Sequence, residues 1–319
     1  MTNKLIEILS IQSESYNQFR MFAYIVRQLK KIGCEYYTFN GCIYATKGKA
    51  DSYPCIVSHI DTVHEIVEDL TVVNVKGNLT GFNSFTMEQS GIGGDDKVGI
   101  FIALQCLEKF DNIKAVFFRD EEVGCEGSYD PDIDFFKDCN FVLQCDRRGN
   151  TDFITNASGI ELTGDDFKAE LKGLLPLYGY KFSNGMMTDV MALKQSGIKC
   201  AMANISCGYY NPHCADEFVN VADVFNCLAL VTEIIEELGD IKYICKYKAK
   251  KNKWNLDIDY SQKWGNNNTL DFWLDEDKKK GKAYCECCNE NEVTEFVAEF
   301  NIEMCNKCIK EYVRPYHQF

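Results

Sequence analysis

The sequence predicts an α/β domain: three layers around a central, mostly parallel sheet, with a small cysteine-bearing unit at the C-terminal end. Three observations carry this. Short β-rich apolar runs at 42–46, 54–58, 115–119 and 141–145 alternate with helical stretches at 97–110 and 222–238, the order expected of strands crossed over by helices. The polar motifs SHIDTV, RDEEVG and QCDRRGN each begin where an apolar run stops, and in such sheets functional residues gather beyond the carboxyl ends of the strands. With 319 residues, 46% of them hydrophobic, the chain can bury a full core.

Ahead of the first strand, Leu5, Ile8 and Leu9, then Phe22, Ile25, Val26 and Leu29, fall at helical spacing, with a break at Ser13-Glu14-Ser15. Two helices are expected there. The domain runs over 1–245. Residues 246–282 differ: they are lysine-rich, broken by Gly265-Asn266-Asn267-Asn268 and Lys278-Lys279-Lys280-Gly281, and hold Trp254, Trp264 and Trp273. They read as a connector that packs against another surface, since plain linkers seldom carry tryptophan. No internal repeat is present.

Residues 283–319 contain Cys285-x-x-Cys288 and Cys305-x-x-Cys308, with Cys287 as a spare thiol. Two such pairs match the knuckles of a four-cysteine zinc ribbon, so Cys285, Cys288, Cys305 and Cys308 are expected to hold one structural zinc. A unit this small has little core of its own, and the metal would supply much of its stability. A ribbon also offers a surface for a protein partner. The other cysteines, among them Cys55, Cys106, Cys139 and Cys145, stand singly at apolar positions and read as free buried thiols.

The net charge is -14, which argues against non-specific binding of nucleic acid or anionic membrane. The acidic excess lies before Lys246; beyond it the charges balance. No run approaches the roughly 18 apolar residues of a membrane span. The opening MTNKLIEILSIQ lacks a secretory pattern, so a cytoplasmic protein is expected.

Two of four histidines, His59 and His213, sit beside carboxylates. In SHIDTV, Asp61 follows His59 by two positions, on the same side of an extended segment, where it can orient the ring or its metal. GIGGDDKVG places a carboxylate in a glycine-rich turn opening a helix. DEEVG offers adjacent glutamates that, on a strand, point apart, so one can bind metal while the other faces a water. QCDRRGN adds Asp146, and NPHCADE adds His213. Two histidines and three carboxylates suit two zinc ions sharing one carboxylate. Cobalt or manganese could substitute, because oxygen-rich sites select metals weakly.

HID, GGDDK, DEEVG, a later Asp and a late NPH, in that order, resemble the co-catalytic zinc exopeptidases and deacylases. Their spacing is most similar to the peptidase T, acetylornithine deacetylase and glutamate carboxypeptidase family. The resemblance covers about residues 1–240, including the opening IEILSIQSES. It implies that His59, Glu122 and His213 are terminal ligands, that Asp95 bridges, and that Asp146 completes the second metal. It further implies that Asp61 lies beneath His59 and that Glu121 is the general base. Asp96, by contrast, would favour the helix N-terminus.

The family's inserted lid has no room between Asp146 and His213, so the layout looks more like the single-domain aminopeptidases of the same clan. Arg147 and Arg148 are candidates for gripping a substrate carboxylate. Asp189, in a stretch resembling the family's Thr-Asp helix, is expected near the loop of His213. The expected reaction is hydrolysis of an amide bond in a small peptide or N-acyl amino acid. A deacylase or desuccinylase is the alternative within that chemistry. A non-catalytic zinc-binding interaction protein is the alternative outside it, opposed by the presence of Glu121 and all five ligand positions.

Overall fold

The structure, a computed structural model, describes residues 1–246, 291–297 and 302–310. Helices α1 (Thr2–Leu9) and α2 (Phe19–Ile32) precede β1 (Glu35–Phe39), β2 (Cys42–Lys47) and β3 (Tyr53–His59). Next come β4 (Leu70–Val75), β5 (Asn78–Asn83), β6 (Gln89–Ser90), α3 (Gly94–Lys109), β7 (Ile113–Phe118), α4 (Glu126–Tyr129) and β8 (Cys139–Arg147). The chain continues through β9 (Asp152–Ala157), β10 (Ile160–Glu161), α5 (Asp165–Leu174), β11 (Lys181–Gly185), α6 (Asp189–Gln195) and β12 (Ala201–Ser206). It then forms β13 (Tyr209–Tyr210), β14 (Phe218–Asn220) and α7 (Val221–Leu238), and further on β15 (Glu295–Val297), β16 (Ile302–Met304) and α8 (Asn306–Cys308).

The main sheet follows the order β1-β2-β7-β3-β8-β12-β9-β10, with β11 also on β9. Its centre, β7-β3-β8-β12, is parallel; β2 and β9 join its two sides antiparallel. The period-two alternation of strand side chains divides the core between the two faces. Ile56, Ala115, Phe117, Phe141 and Leu143 join the core on the side of α1, α2, α3 and α7. Val57, Val116, Phe118 and Val142 join the core containing Val190 and Leu193 of α6. Both faces are covered, which is why the central strands are apolar without interruption. The three-layer α/β architecture read from the sequence is the one the chain adopts.

A second antiparallel sheet, β13-β14-β5-β4 with β6 on β5, stands apart from the main one and is not anticipated by the apolar runs. Its β4–β5 hairpin turns at Lys76-Gly77, both at positive φ (52° and 90°), as a tight primed turn requires. Between Asp146 and His213 the strands β9 to β13 all pair within one of these two sheets. Up to Cys227 the described cysteines are free thiols, and all but Cys214 are buried. Among the described residues no helix is long and apolar enough to cross a membrane. The tryptophan-bearing connector, Cys285, Cys287, Cys288 and His317 lie outside the described residues. Cys305 and Cys308 are buried directly after β16.

Candidate metal centre

The fold gathers the sequence-predicted residues at one end of the parallel strands. His59 is the last residue of β3, Glu121 and Glu122 follow β7, Asp146 is the penultimate residue of β8, and Asp95 lies in the first turn of α3. His213 comes from the β13–β14 loop, with φ at 64°. The expectation that DEEVG continues as a strand is corrected. β7 ends at Phe118, Asp120 takes φ 53°, and the glutamates diverge because they lie in a turn.

Asp95 presents one oxygen to each histidine: Oδ1 lies 3.1 Å from His59 Nε2, and Oδ2 lies 3.5 Å from His213 Nε2. Around the first oxygen, His59 Nε2 is 3.7 Å from Asp146 Oδ1. Around the second, His213 Nε2 is 3.1 Å from Glu122 Oε2. Asp96 is turned elsewhere: it accepts from the backbone N–H of Gly99 (3.0 Å) and of His59 (3.3 Å). One of its oxygens still comes within 4.8 Å of ligand atoms of His59 and Asp146, as the set His59, Asp95 and Glu122 also does internally. We favour Asp95, because the Asp96 carboxylate is already engaged by two amides.

Asp61 is fully buried and braces the turn as much as the ring. Its carboxylate accepts from Glu121 N (2.9 Å), Glu122 N (3.3 Å) and Ser15 Oγ (2.8 Å). His59 Nδ1 meets the Asp61 backbone carbonyl at 2.9 Å, fixing the ring with Nε2 toward the cluster. Glu121 Oε1 accepts from Cys125 Sγ at 3.4 Å, and its Oε2 lies 4.0 Å from His59 Nε2.

As side chains alone the cluster is over-charged. Burial and the Asp95 charge hold Asp146 well above the usual carboxylate range. Burial, then Asp146, Asp189 and Asp95, push Glu121 up to about 9 against the opposing His59. Burial disfavours charge on His59, but hydrogen bonds to Asp146, Asp61 and Asp95 raise it well above its ordinary value. Hydrogen bonds to Asp95 and Glu122 push His213 up to about 10. Asp95 is held well below its range by both histidines, against burial. Meanwhile Glu122 Oε1 is buried without a hydrogen-bond partner. A crowd of acids and imidazoles that must borrow protons, with an orphaned carboxylate oxygen, fits divalent cations.

The cluster floors a cavity of about 200 Å³ lined by Arg147, Arg148, Ile154, Met186, Met187 and Pro212 among others. Arg147 and Arg148 are therefore brought to the site; Arg147 also approaches Asp152 at 3.5 Å. Asp189 does not line the cavity: it is fully buried beside Thr188, which does, and accepts at 3.0 Å from Gln144 Nε2, which also donates to Asp146.

Three buried polar residues support the site without being named by sequence reasoning: Gln144, Asn204 and Glu217. Gln144 Nε2 donates to Asp146 Oδ2 at 3.0 Å. Asn204 holds the Asp146 backbone from both sides. Glu217, fully buried, accepts from Ile92 N, Gly93 N and Asp95 N and from His64 Nε2. For Glu217 a signal exists in NPHCADEF: an acid four residues after a candidate ligand histidine, at the start of an apolar run.

No family model and no curated protein matches the chain. Among solved structures it is similar to the aminopeptidase PepT from Bacillus cereus, with TM-score 0.59 and 14% identity over 74% of this chain and 97% of that one. The chain shares that fold. A tripeptidase from Staphylococcus aureus gives TM-score 0.60 and 13% identity over 74% and 97%. An aminopeptidase from the archaeon Desulfurococcus kamchatkensis gives TM-score 0.54 and 14% identity over 74% and 96%. The likeness concerns the architecture; the chemistry must be argued from the side chains.

Proposed function

We propose that this chain is a metal-dependent hydrolase that cleaves an amide bond in a short peptide or N-acyl amino acid. In this reading His59, Asp95, Glu122, Asp146 and His213 hold two zinc ions. The observation that carries it is the split of the Asp95 carboxylate, one oxygen toward His59 and Asp146, the other toward His213 and Glu122. The solved structures named aminopeptidase and tripeptidase support peptides as the substrate class.

Two bound divalent ions would supply Lewis acidity and a nucleophile at neutral pH. The chain's own residues do the rest. Glu121, with Oε1 tied to Cys125, keeps Oε2 to take a proton from the attacking water and return it to the leaving nitrogen. His59 and Asp146 are held on strand ends, so they need little reorganisation. Arg147 and Arg148 offer guanidinium groups to a free substrate carboxylate, and Ile154, Met186, Met187 and Pro212 offer an apolar wall for a side chain. We assign Cys285, Cys288, Cys305 and Cys308 to one structural zinc in a unit at 283–319, joined by the connector 246–282 to the hydrolase domain at 1–245.

The test is turnover by the full chain on a panel of di- and tripeptides and N-acyl amino acids, before and after chelation and zinc return. Turnover of at least one class, lost with the metal and recovered with it, is expected. A zinc-loaded, folded protein that cleaves none of them overturns the proposal.

A further inference from the structure

Three ligand-bearing segments converge on one carboxylate that binds no metal in the proposed site. Glu217 is 0% exposed, where an unpaired carboxylate would be costly. Its Oε2 accepts from Ile92 N (3.0 Å), Gly93 N (2.6 Å) and His64 Nε2 (2.9 Å), and its Oε1 from Asp95 N (3.3 Å). The segments that meet there are the turn 91–95 leading into Asp95, the stretch after β3 that runs from His59 to His64, and the loop that carries His213 four residues before Glu217 itself.

The packing leaves little slack. A Cβ at Gly91 would come within 2.0 Å of the His64 ring, and one at Gly93, which takes φ 65°, within 2.5 Å of Thr62 Cγ2. The turn therefore lies close against the 59–64 stretch, with Glu217 bonded to both. His59 and Asp146 do not depend on this arrangement, because β3 and β8 carry them. Asp95 and His213 do, since neither lies on a strand.

We infer that Glu217 is the positioning residue that sets Asp95 and His213 against the strand-borne ligands, so that the Glu122/His213 half of the site takes its metal ion as tightly as the His59/Asp146 half. The inference rests on the two-metal reading above. Residues that orient metal ligands typically contribute about 10- to 100-fold in affinity. Here the effect should be unequal: two of the three ligands on the His213 side hang from Glu217, but only the shared Asp95 on the other.

The experiment is calorimetric titration of the full, metal-free chain with Co²⁺, wild type against Glu217→Gln and His64→Ala. Any equivalent taken by the cysteines is set aside by its thiolate-to-cobalt charge-transfer band. In Glu217→Gln the amide oxygen can keep the three Oε2 partners, but the NH₂ faces Asp95 N–H. One equivalent should weaken at least about 10-fold while the other stays within about threefold. His64→Ala, which removes only the half-buried donor, should split the equivalents in the same sense but less, and it carries the test if the glutamine variant does not fold.

Unsplit isotherms in the folded variants overturn the inference. So does parallel weakening of both equivalents with a lowered metal-free melting temperature, which would make Glu217 an ordinary fold contact. A wild-type chain that binds fewer than two Co²⁺ outside the cysteines overturns the two-metal reading itself.

Discussion

Replacing Asn204 with leucine tests how Asp146 is held. The pairing of β12 with β8 slips between Asn204 and Ser206, and at that slip the Asn204 carboxamide takes over from the ladder. Its Oδ1 accepts from Asp146 N at 3.0 Å, and its Nδ2 donates to Asp146 O at 2.8 Å and to Thr188 Oγ1 at 3.0 Å. Asn204 is only 4% exposed, so water cannot readily replace it. Leucine keeps the branching at Cγ and removes every polar atom. Three buried hydrogen bonds at about 1 kcal/mol net each give a loss of roughly 3 kcal/mol, and more if the Asp146 backbone groups stay unpaired. Urea unfolding of the chelated protein should show this as a lower midpoint at unchanged slope. Zinc affinity should fall too, because the Asp146 carboxylate follows its backbone. A change below about 0.5 kcal/mol, the size expected of an unremarkable surface substitution, with unaltered zinc affinity, would refute the reasoning.

Glu121→Gln should lower turnover by roughly 10²- to 10⁴-fold yet keep both metal ions, whereas Glu122→Gln should lose metal as well. Equal metal loss in the two variants, measured by atomic absorption, would mean that the roles of the glutamates are reversed. Arg148→Ala should raise KM for substrates with a free carboxylate and leave their amidated counterparts within about twofold; an equal change in both contradicts carboxylate recognition. With metal removed, His213 at about 10, Glu121 at about 9 and the raised His59 make the folded chain hold more protons than the unfolded chain between pH 6 and 8. Stability of the chelated protein must then fall as pH rises across that window. Its melting temperature should be lower at pH 8 than at pH 6, and the opposite order would show that the cluster is not proton-rich.

The main sheet was legible because burial on both faces writes itself into the sequence as uninterrupted apolar runs, and the strand ends as abrupt polar motifs. Hence His59, Asp146, His213 and one carboxylate each from GGDDK and DEEVG can be named from their neighbourhoods, the choice of Asp95 and Glu122 coming from the family resemblance, and the structure brings all five together. The second sheet was not legible by that criterion. Leu70–Val75 and Asn78–Asn83 are half-buried and mixed, and their signal lies in the Lys76-Gly77 turn. Asn204 and Glu217 were hidden for a different reason. Each works by satisfying backbone groups of a segment far away in the chain, and such a pairing leaves no periodicity in the sequence. The placement of Asp189 shows the converse. A motif neighbour of the site can be aimed at the supporting network, here at Gln144, instead of the cavity.

The two-metal assignment meets its most direct test in anomalous diffraction at the zinc edge from crystals of the zinc-loaded protein. Two peaks about 3.5–4 Å apart are predicted, both touching Asp95, one against His59 and Asp146 and the other against Glu122 and His213. A single peak at this cluster, or a pair that Asp95 does not share, would contradict it.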